Sequence, residues 1–319
     1  MAMPLNKKSA SDSPSLPAPF YERDKGAAYL GDSLVLMKTL PNKSINLILT
    51  SPPFALTRQK EYGNKSFDDY IEWFLPFAEE FRRILTDDGS LVIDLGGAYI
   101  PGFPVRTIYQ FELLVRLCKE LGFFLAQELY HFNPSRLPSP AEWVTIRRIR
   151  VKDSVNVVWW LSTGTAPKAD NRKVLAEYSD SMKKLLVNGY KPRLRPSGHD
   201  ISDKFQKDNN GAIPPNLLTL ANTDSNGAYM RRCKEAGIKP HPARFPEAFA
   251  EFFVNFLTDE SDVVLDPFAG SNTTGYVAEK LGRRWLAFEL EQAYLEGSLY
   301  RFEEVNDLFS TLRKNGRAQ

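Results

Sequence analysis

Residues 45–54 read Ile-Asn-Leu-Ile-Leu-Thr-Ser-Pro-Pro-Phe. The apolar run stops at a double proline, which lacks the N–H groups a paired central strand needs. A strand over Ile45–Thr50 therefore empties into a rigid loop, Ser51–Phe54. Downstream come a helix-like stretch from Asp68 to Leu85, a turn at Asp87-Asp88-Gly89, and a second apolar run, Leu91–Leu95, that ends in Gly96-Gly97. Strand, helix, strand is the rhythm of a parallel sheet. The same rhythm returns late in the chain, with a helix over Phe245–Leu257, a strand over Val263–Leu265, a helix from about Thr274 and a strand over Trp285–Phe288. Between roughly Ser162 and Lys239, Pro, Gly, Asn, Asp and basic residues dominate, so an inserted loop-rich region is expected there. The fold class is α/β, a doubly wound and mostly parallel sheet carrying that insertion. Val155–Trp160 reads as a further strand whose tryptophans serve the core.

Composition narrows the functional classes. The 319 residues are 43% hydrophobic and 12% aromatic, and no apolar stretch is long enough to cross a bilayer, so no membrane partner is expected. No signal-peptide core opens the chain, which makes a cytoplasmic, nucleoid-associated location the expectation. Residues 1–20 are rich in Ser and Pro and read as a disordered arm. Cys118 and Cys233 fit no zinc or redox spacing, and neither do the three histidines, so no metal is expected. A net charge of +2 does not announce a polyanion partner. That case rests on two local clusters: Arg147, Arg148, Arg150 and Lys152, then Lys191, Arg193 and Arg195 leading to His199. Each alone reads as a solvated face before other evidence is weighed.

Two loops carry the chemistry. Asp266-Pro267-Phe268-Ala269-Gly270-Ser271-Asn272-Thr273-Thr274 lies where a strand stops and a helix begins, the place where open α/β sheets bind ligands. Neither the three-glycine dinucleotide fingerprint nor the lysine-bearing phosphate loop is present, and the acid at Asp266 argues against a phosphate. Glu289 closes the next strand, where an acid can accept hydrogen bonds from ribose hydroxyls. A cationic nucleoside such as S-adenosylmethionine fits both acids, although each also reads as an ordinary strand-end residue. In the other loop, Ser51 Oγ and the Pro52 carbonyl could accept the two hydrogens of an exocyclic amino group. The nitrogen would then be drawn toward tetrahedral geometry for in-line attack on a methyl group. Pro53 stiffens the loop, and Phe54 offers a face on which an extruded base can stack.

With those residues stated, a family resemblance can be drawn. Thr50–Phe54, His241-Pro242-Ala243-Arg244-Phe245-Pro246 and Asp266–Ser271 resemble, in this order, motifs of the circularly permuted beta group of amino-group DNA methyltransferases, N4-cytosine enzymes in particular. The resemblance implies a Rossmann-like methyltransferase fold and S-adenosylmethionine as cofactor. It implies Ser51, Pro52, Pro53 and Phe54 at the target base, with Asp94 supporting them. It places Asp266, Phe268, Gly270 and Ser271 around the methionine end, Glu289 at the ribose, Asp32 near the adenine, and His241, Pro242 and Phe245 ahead of a helix beside the cofactor, while Thr273 is one of the hydroxyl residues that can cap the next helix or face the bound group. It divides the chain into a catalytic half (21–162), a target-recognition region (163–239) and a cofactor half (240–319). Serine before Pro-Pro points to N4 of cytosine; N6 of adenine, or an RNA acceptor, is the alternative. In that setting the basic clusters read as contacts to double-stranded DNA. The implied context is restriction-modification, with a cognate endonuclease acting separately and the enzyme a monomer or homodimer.

Overall fold

The computed structural model describes residues 15–54, 69–189, 207–221 and 227–302. In chain order the elements are β1 (Tyr21–Glu22), β2 (Gly26–Leu30), α1 (Ser33–Lys38), β3 (Ile45–Thr50), α2 (Tyr70–Ile84), β4 (Leu85–Leu95), α3 (Tyr109–Lys119), β5 (Phe124–Phe132) and β6 (Val155–Ser162). They continue as α4 (Asp180–Asn188), β7 (Leu217–Thr219), α5 (Ala228–Glu235), α6 (Glu247–Leu257), β8 (Val263–Asp266), α7 (Thr273–Lys280) and β9 (Arg284–Glu289). A last helix, α8, runs from residue 292 through 302.

The strands form one sheet in the order β1-β2-β9-β8-β3-β4-β6-β5-β7. The inner strands β2, β9, β8, β3 and β4 are mutually parallel, whereas β6 runs antiparallel to both its neighbours. Because side chains alternate along a strand, Ile48, Ile93 and Trp159 enter the core layer on one face, while Leu47, Leu49, Val92 and Trp160 enter the other. Helix α2 seals the first layer by burying Tyr70, Phe74, Phe77, Ala78, Phe81 and Ile84 at helical spacing, and α6 seals the second with Phe249, Phe253 and Leu257.

Neighbouring β3 and β8 send the chain opposite ways, through α2 to β4 on one side and through α7 to β9 on the other. A sheet that reverses order in this way leaves a crevice at the carboxyl ends of those strands. The two loops singled out in the sequence both issue there.

Three expectations need correction. The turn at Asp87–Gly89 is absorbed into β4 as an irregularity, since the pairing with β3 jumps from Ile45↔Leu85 to Leu47↔Ser90. The last residues of the expected disordered arm lie on the body: Leu16 packs against the first core layer, and the Phe20 N–H donates to the Ala28 carbonyl at 2.8 Å. The inserted region is not all loop, for β7 adds to the sheet edge and α4 and α5 are helices. Among the described residues, no helix is long and apolar enough to cross a membrane. Phe74 is fully buried in the middle of α2. Phe74→Ala is expected to lower unfolding free energy by about 3–5 kcal/mol, read by urea denaturation.

Candidate active site

The crevice holds a cavity of about 520 Å³. Ser51, Pro52, Pro53 and Phe54 line it from the end of β3, Asp94 from β4, Pro267 and Phe268 from β8, and Glu289 from β9. Asp32 enters because the parallel pairing of β2 with β9 sets Leu30 beside Glu289, and the Gly31 N–H then donates to the Glu289 carbonyl at 2.9 Å. His241, Pro242 and Phe245 line the wall ahead of α6. Eleven of the fifteen residues assigned to catalysis or cofactor binding thus share one cavity.

The other four, Asp266, Gly270, Ser271 and Thr273, do not reach its wall, and their bonds show why. Asp266 is 2% exposed, and its carboxylate accepts the Thr50 hydroxyl at 2.8 Å, the Thr274 hydroxyl at 2.7 Å and the Phe268 N–H at 3.1 Å. It ties the strand that ends in the Ser-Pro-Pro loop to the strand that opens the second loop. Burial, opposed by these three hydrogen bonds, raises its pKa to about 6. Ser271 Oγ accepts from the Arg301 guanidinium at 3.1 Å, and Thr273 begins α7. Gly270 has φ +52°, and a Cβ there would meet the His241 ring at 3.1 Å, so the glycine both makes the turn and lets the imidazole close on it.

One end of the cavity is apolar, with Phe268 packed against Trp73 and Phe77 at ring separations of 5.9 and 5.2 Å. Beside it, Glu289 accepts the N–H groups of Gly270, Leu290 and Glu291 at 2.7–2.9 Å. Burial nevertheless pushes its pKa up. Asp32 caps α1 through Oδ1, which accepts from Leu34 N–H at 2.8 Å. His241, desolvated by burial, is pushed down to about 4 and is neutral at ordinary pH. A neutral ring suits a neighbour that carries positive charge.

The other end is polar. Ser51 Oγ donates to the Asp94 carbonyl at 3.3 Å, which commits its proton and leaves the hydroxyl oxygen as an acceptor. Phe54 lies over Gly96, where a Cβ would come within 2.6 Å of its ring. The Asp94 carboxylate is 3% exposed, accepts from Asn156 Nδ2 at 3.4 Å and stands 3.8 Å from His131 Nδ1. Strand register explains the grouping, since Asp94 pairs with Val158, two residues from Asn156, and Asn156 pairs with His131.

Asn133, Arg136, Asn156, Trp73, Phe77 and Tyr294 also line the cavity and were not anticipated, and His131 was given only a structural or DNA-contact role. Asn156 left a trace, because a lone amide inside Val155–Val158 is out of place in an apolar strand. In the first basic cluster, Arg150 turns inward onto Tyr99, Asp153 and the Pro104 carbonyl, and Lys152 bonds the Pro134 and Arg136 carbonyls. Arg147 lies over Trp143, and Arg148 is exposed. Lys191, Arg193, Arg195 and His199 fall outside the described residues.

The N6/N4 DNA methylase family profile matches residues 45–300, well over half of the chain. The chain belongs to this family of DNA methylases. It is 50% identical to the type II methyltransferase M.PvuII of Proteus hauseri, over 97% of this chain and 96% of that protein. It is 27% identical to M.ScaI of Streptomyces caespitosus, over 96% and 90%. The solved structure of PvuII DNA methyltransferase (cytosine-N4-specific) superposes with a TM-score of 0.74 at 46% identity, covering 92% of this chain and 94% of that one. The M1.HpyAVI–SAM complex, at 18% identity and TM-score 0.53 over 87% and 98%, shares the fold.

In this DNA methylase the buried Asp266 predicts a pH signature. A carboxyl whose folded pKa is raised from 3.8 to about 6 stays protonated in the folded state while the unfolded chain ionises. Its contribution to stability is therefore full below about pH 4 and is lost as pH rises to 6, by on the order of 2–3 kcal/mol. Urea unfolding at pH 4.5 and 6.5 is expected to show this loss as a change in the stability difference between wild type and Asp266→Asn, since the lowered pKa of His241 adds stability over the same range in both proteins. Equal slopes would place the titration elsewhere. Gly270→Ala, strained at its φ and crowding His241, is expected to weaken cofactor binding at least tenfold by calorimetric titration.

Proposed function

We propose that this chain transfers the methyl group of S-adenosylmethionine to N4 of a cytosine extruded from duplex DNA. The observation that carries the reading is that the Ser51–Phe54 acceptor loop and the Glu289–Asp32 wall open into one cavity. The wall residues suit the cofactor: an aromatic slot formed by Phe268 with Trp73 and Phe77 that suits the purine rather than the methionine end expected from the sequence, two carboxylates for ribose and amine donors, and a neutral His241 that does not repel a cation. When bound, S-adenosylmethionine supplies an electrophilic methyl group.

The remaining work belongs to the protein. Phe54 stacks on the base, and the flattened surface at Gly96 holds the ring in place. Ser51 Oγ and the Pro52 carbonyl accept the two amino hydrogens, which frees the nitrogen lone pair from the ring and aims it along the line of attack. Positive charge then grows on the nitrogen, and the Asp94 carboxylate, joined to Ser51 through its own carbonyl, offsets it. The inserted region 163–239 and the exposed Arg147 and Arg148 are assigned to DNA, with Lys191, Arg193, Arg195 and His199 as further phosphate contacts. Relatives named type II methyltransferases favour a modification role beside a separately acting endonuclease.

The test uses purified protein, unmethylated genomic DNA and methyl-labelled cofactor, followed by digestion to nucleosides and mass spectrometry. Labelled N4-methyldeoxycytidine is the expected product. Ser51→Ala is expected to lose activity about a hundredfold or more while binding cofactor normally. Labelled N6-methyldeoxyadenosine would overturn the choice of acceptor, and label on RNA alone the choice of substrate.

A further inference from the structure

The polar end of the cavity carries a cation that the methyl transfer itself does not call for. Arg136, four residues past the end of β5, lines the cavity and donates from Nη1 to Asn156 Oδ1 at 3.0 Å. Asn156 Nδ2 donates to Asp94 Oδ2 at 3.4 Å, and the Asp94 carbonyl accepts the Ser51 hydroxyl at 3.3 Å. Arg136 thus stands at the far end of a chain of three hydrogen bonds that begins at the acceptor loop. Its backbone is fixed as well, its N–H donating to the Asn133 carbonyl at 3.2 Å and its carbonyl accepting from Lys152 at 3.1 Å.

A guanidinium carries five N–H donors in a planar fork. Among the described residues, the bond to Asn156 is the one hydrogen bond this side chain makes, so most of the fork is uncommitted at the cavity wall. The two candidate bases differ at the place such a fork would meet. Next to its amino-bearing carbon, cytosine presents two acceptors along one edge, N3 and then O2. Adenine presents one acceptor, N1, followed by a C–H. A two-pronged donor is satisfied by the first and left with a stranded N–H by the second, and a buried donor without a partner is what lets a site reject an analogue.

We propose that Arg136, held by Asn156, reads the N3 and O2 edge of the extruded base and sets the preference for cytosine over adenine. The inference rests on amino-group transfer to cytosine in this cavity. It gives Asn156 a positioning role, and it gives the Asp94 carboxylate, one residue beyond Asn156, a second charge to balance.

The test is a cycle between a side chain and an atom of the base. Wild type, Arg136→Ala and Arg136→Lys are assayed on a duplex carrying the site mapped from N4-methylcytosine in treated DNA. They are then assayed on the same duplex with 3-deazacytosine, which lacks N3, at the target. The change in intrinsic nucleophilicity of the ring is common to all three enzymes and cancels in the ratio. Relative to Arg136→Ala, the wild type is expected to lose about tenfold to a hundredfold more kcat/KM on the analogue. Arg136→Lys, which keeps the charge but not the fork, is expected to resemble Arg136→Ala on cytosine. Cofactor affinity and melting temperature serve as folding controls. Equal losses on both duplexes, or full rescue by lysine with a lowered salt dependence, would overturn the proposal in favour of a phosphate contact. A wild type indifferent to 3-deazacytosine would overturn it without any variant. Absence of transfer by the wild type to the unmodified duplex would overturn the underlying reading, and this inference with it.

Discussion

The Thr50 hydroxyl and the Asp266 carboxylate meet at 2.8 Å, in full burial, across the point where the sheet reverses its order. The two loops singled out in the sequence issue from the two strands they join. One residue past Thr50 begins the rigid acceptor loop, and one residue past Asp266 begins the turn that shapes the cofactor wall. A hydrogen bond to a buried carboxylate is costly to leave unmade, so the two loops are held in register by more than the pairing of β3 with β8 alone. Thr274 closes the same carboxylate from the first turn of α7, which fixes that helix to the same point.

Around that joint the charges are distributed with economy. Cofactor and base make the same demand at different moments, since one arrives as a cation and the other becomes one as it reacts. In the proposed reading the answer is the carboxylates of Glu289, Asp32 and Asp94, an imidazole at His241 that burial keeps neutral, and acceptor oxygens at Ser51 and Pro52, all of which line the cavity. Where a cation does line the cavity, at Arg136, it is tied through Asn156 to Asp94. This is an electrostatic pattern suited to the transfer of a positively charged group.

The sequence announced this architecture wherever local chemistry was decisive. A strand that runs into two prolines has one reading, and the bounds of β3 follow from it residue for residue. An apolar strand that ends in an acid, followed by a glycine and hydroxyl residues ahead of a helix, likewise marked a strand-to-helix loop at the crevice. Asn272 supplies the cap there through a bond to the Gly275 N–H. What the sequence could not show was depth. Asp266 stands in the cofactor motif yet faces inward, because a strand-end residue points to the cavity or away from it according to a pleat that spacing alone does not fix. Nor could it show long-range register. Asp94, His131 and Asn156 become neighbours only through two antiparallel pairings, and Arg150 turned from expected DNA ligand to internal brace because Tyr99 and Asp153 fold beneath it.

In the proposed reaction the methyl donor and the acceptor loop face each other across one cavity. A crystal structure of the protein with S-adenosylmethionine bound tests it most directly. The purine is expected against Phe268, the ribose hydroxyls bonded to Glu289, and the donor methyl pointing at the gap between Ser51 Oγ and the Pro52 carbonyl. A bound cofactor whose methyl faces away from that loop would contradict it.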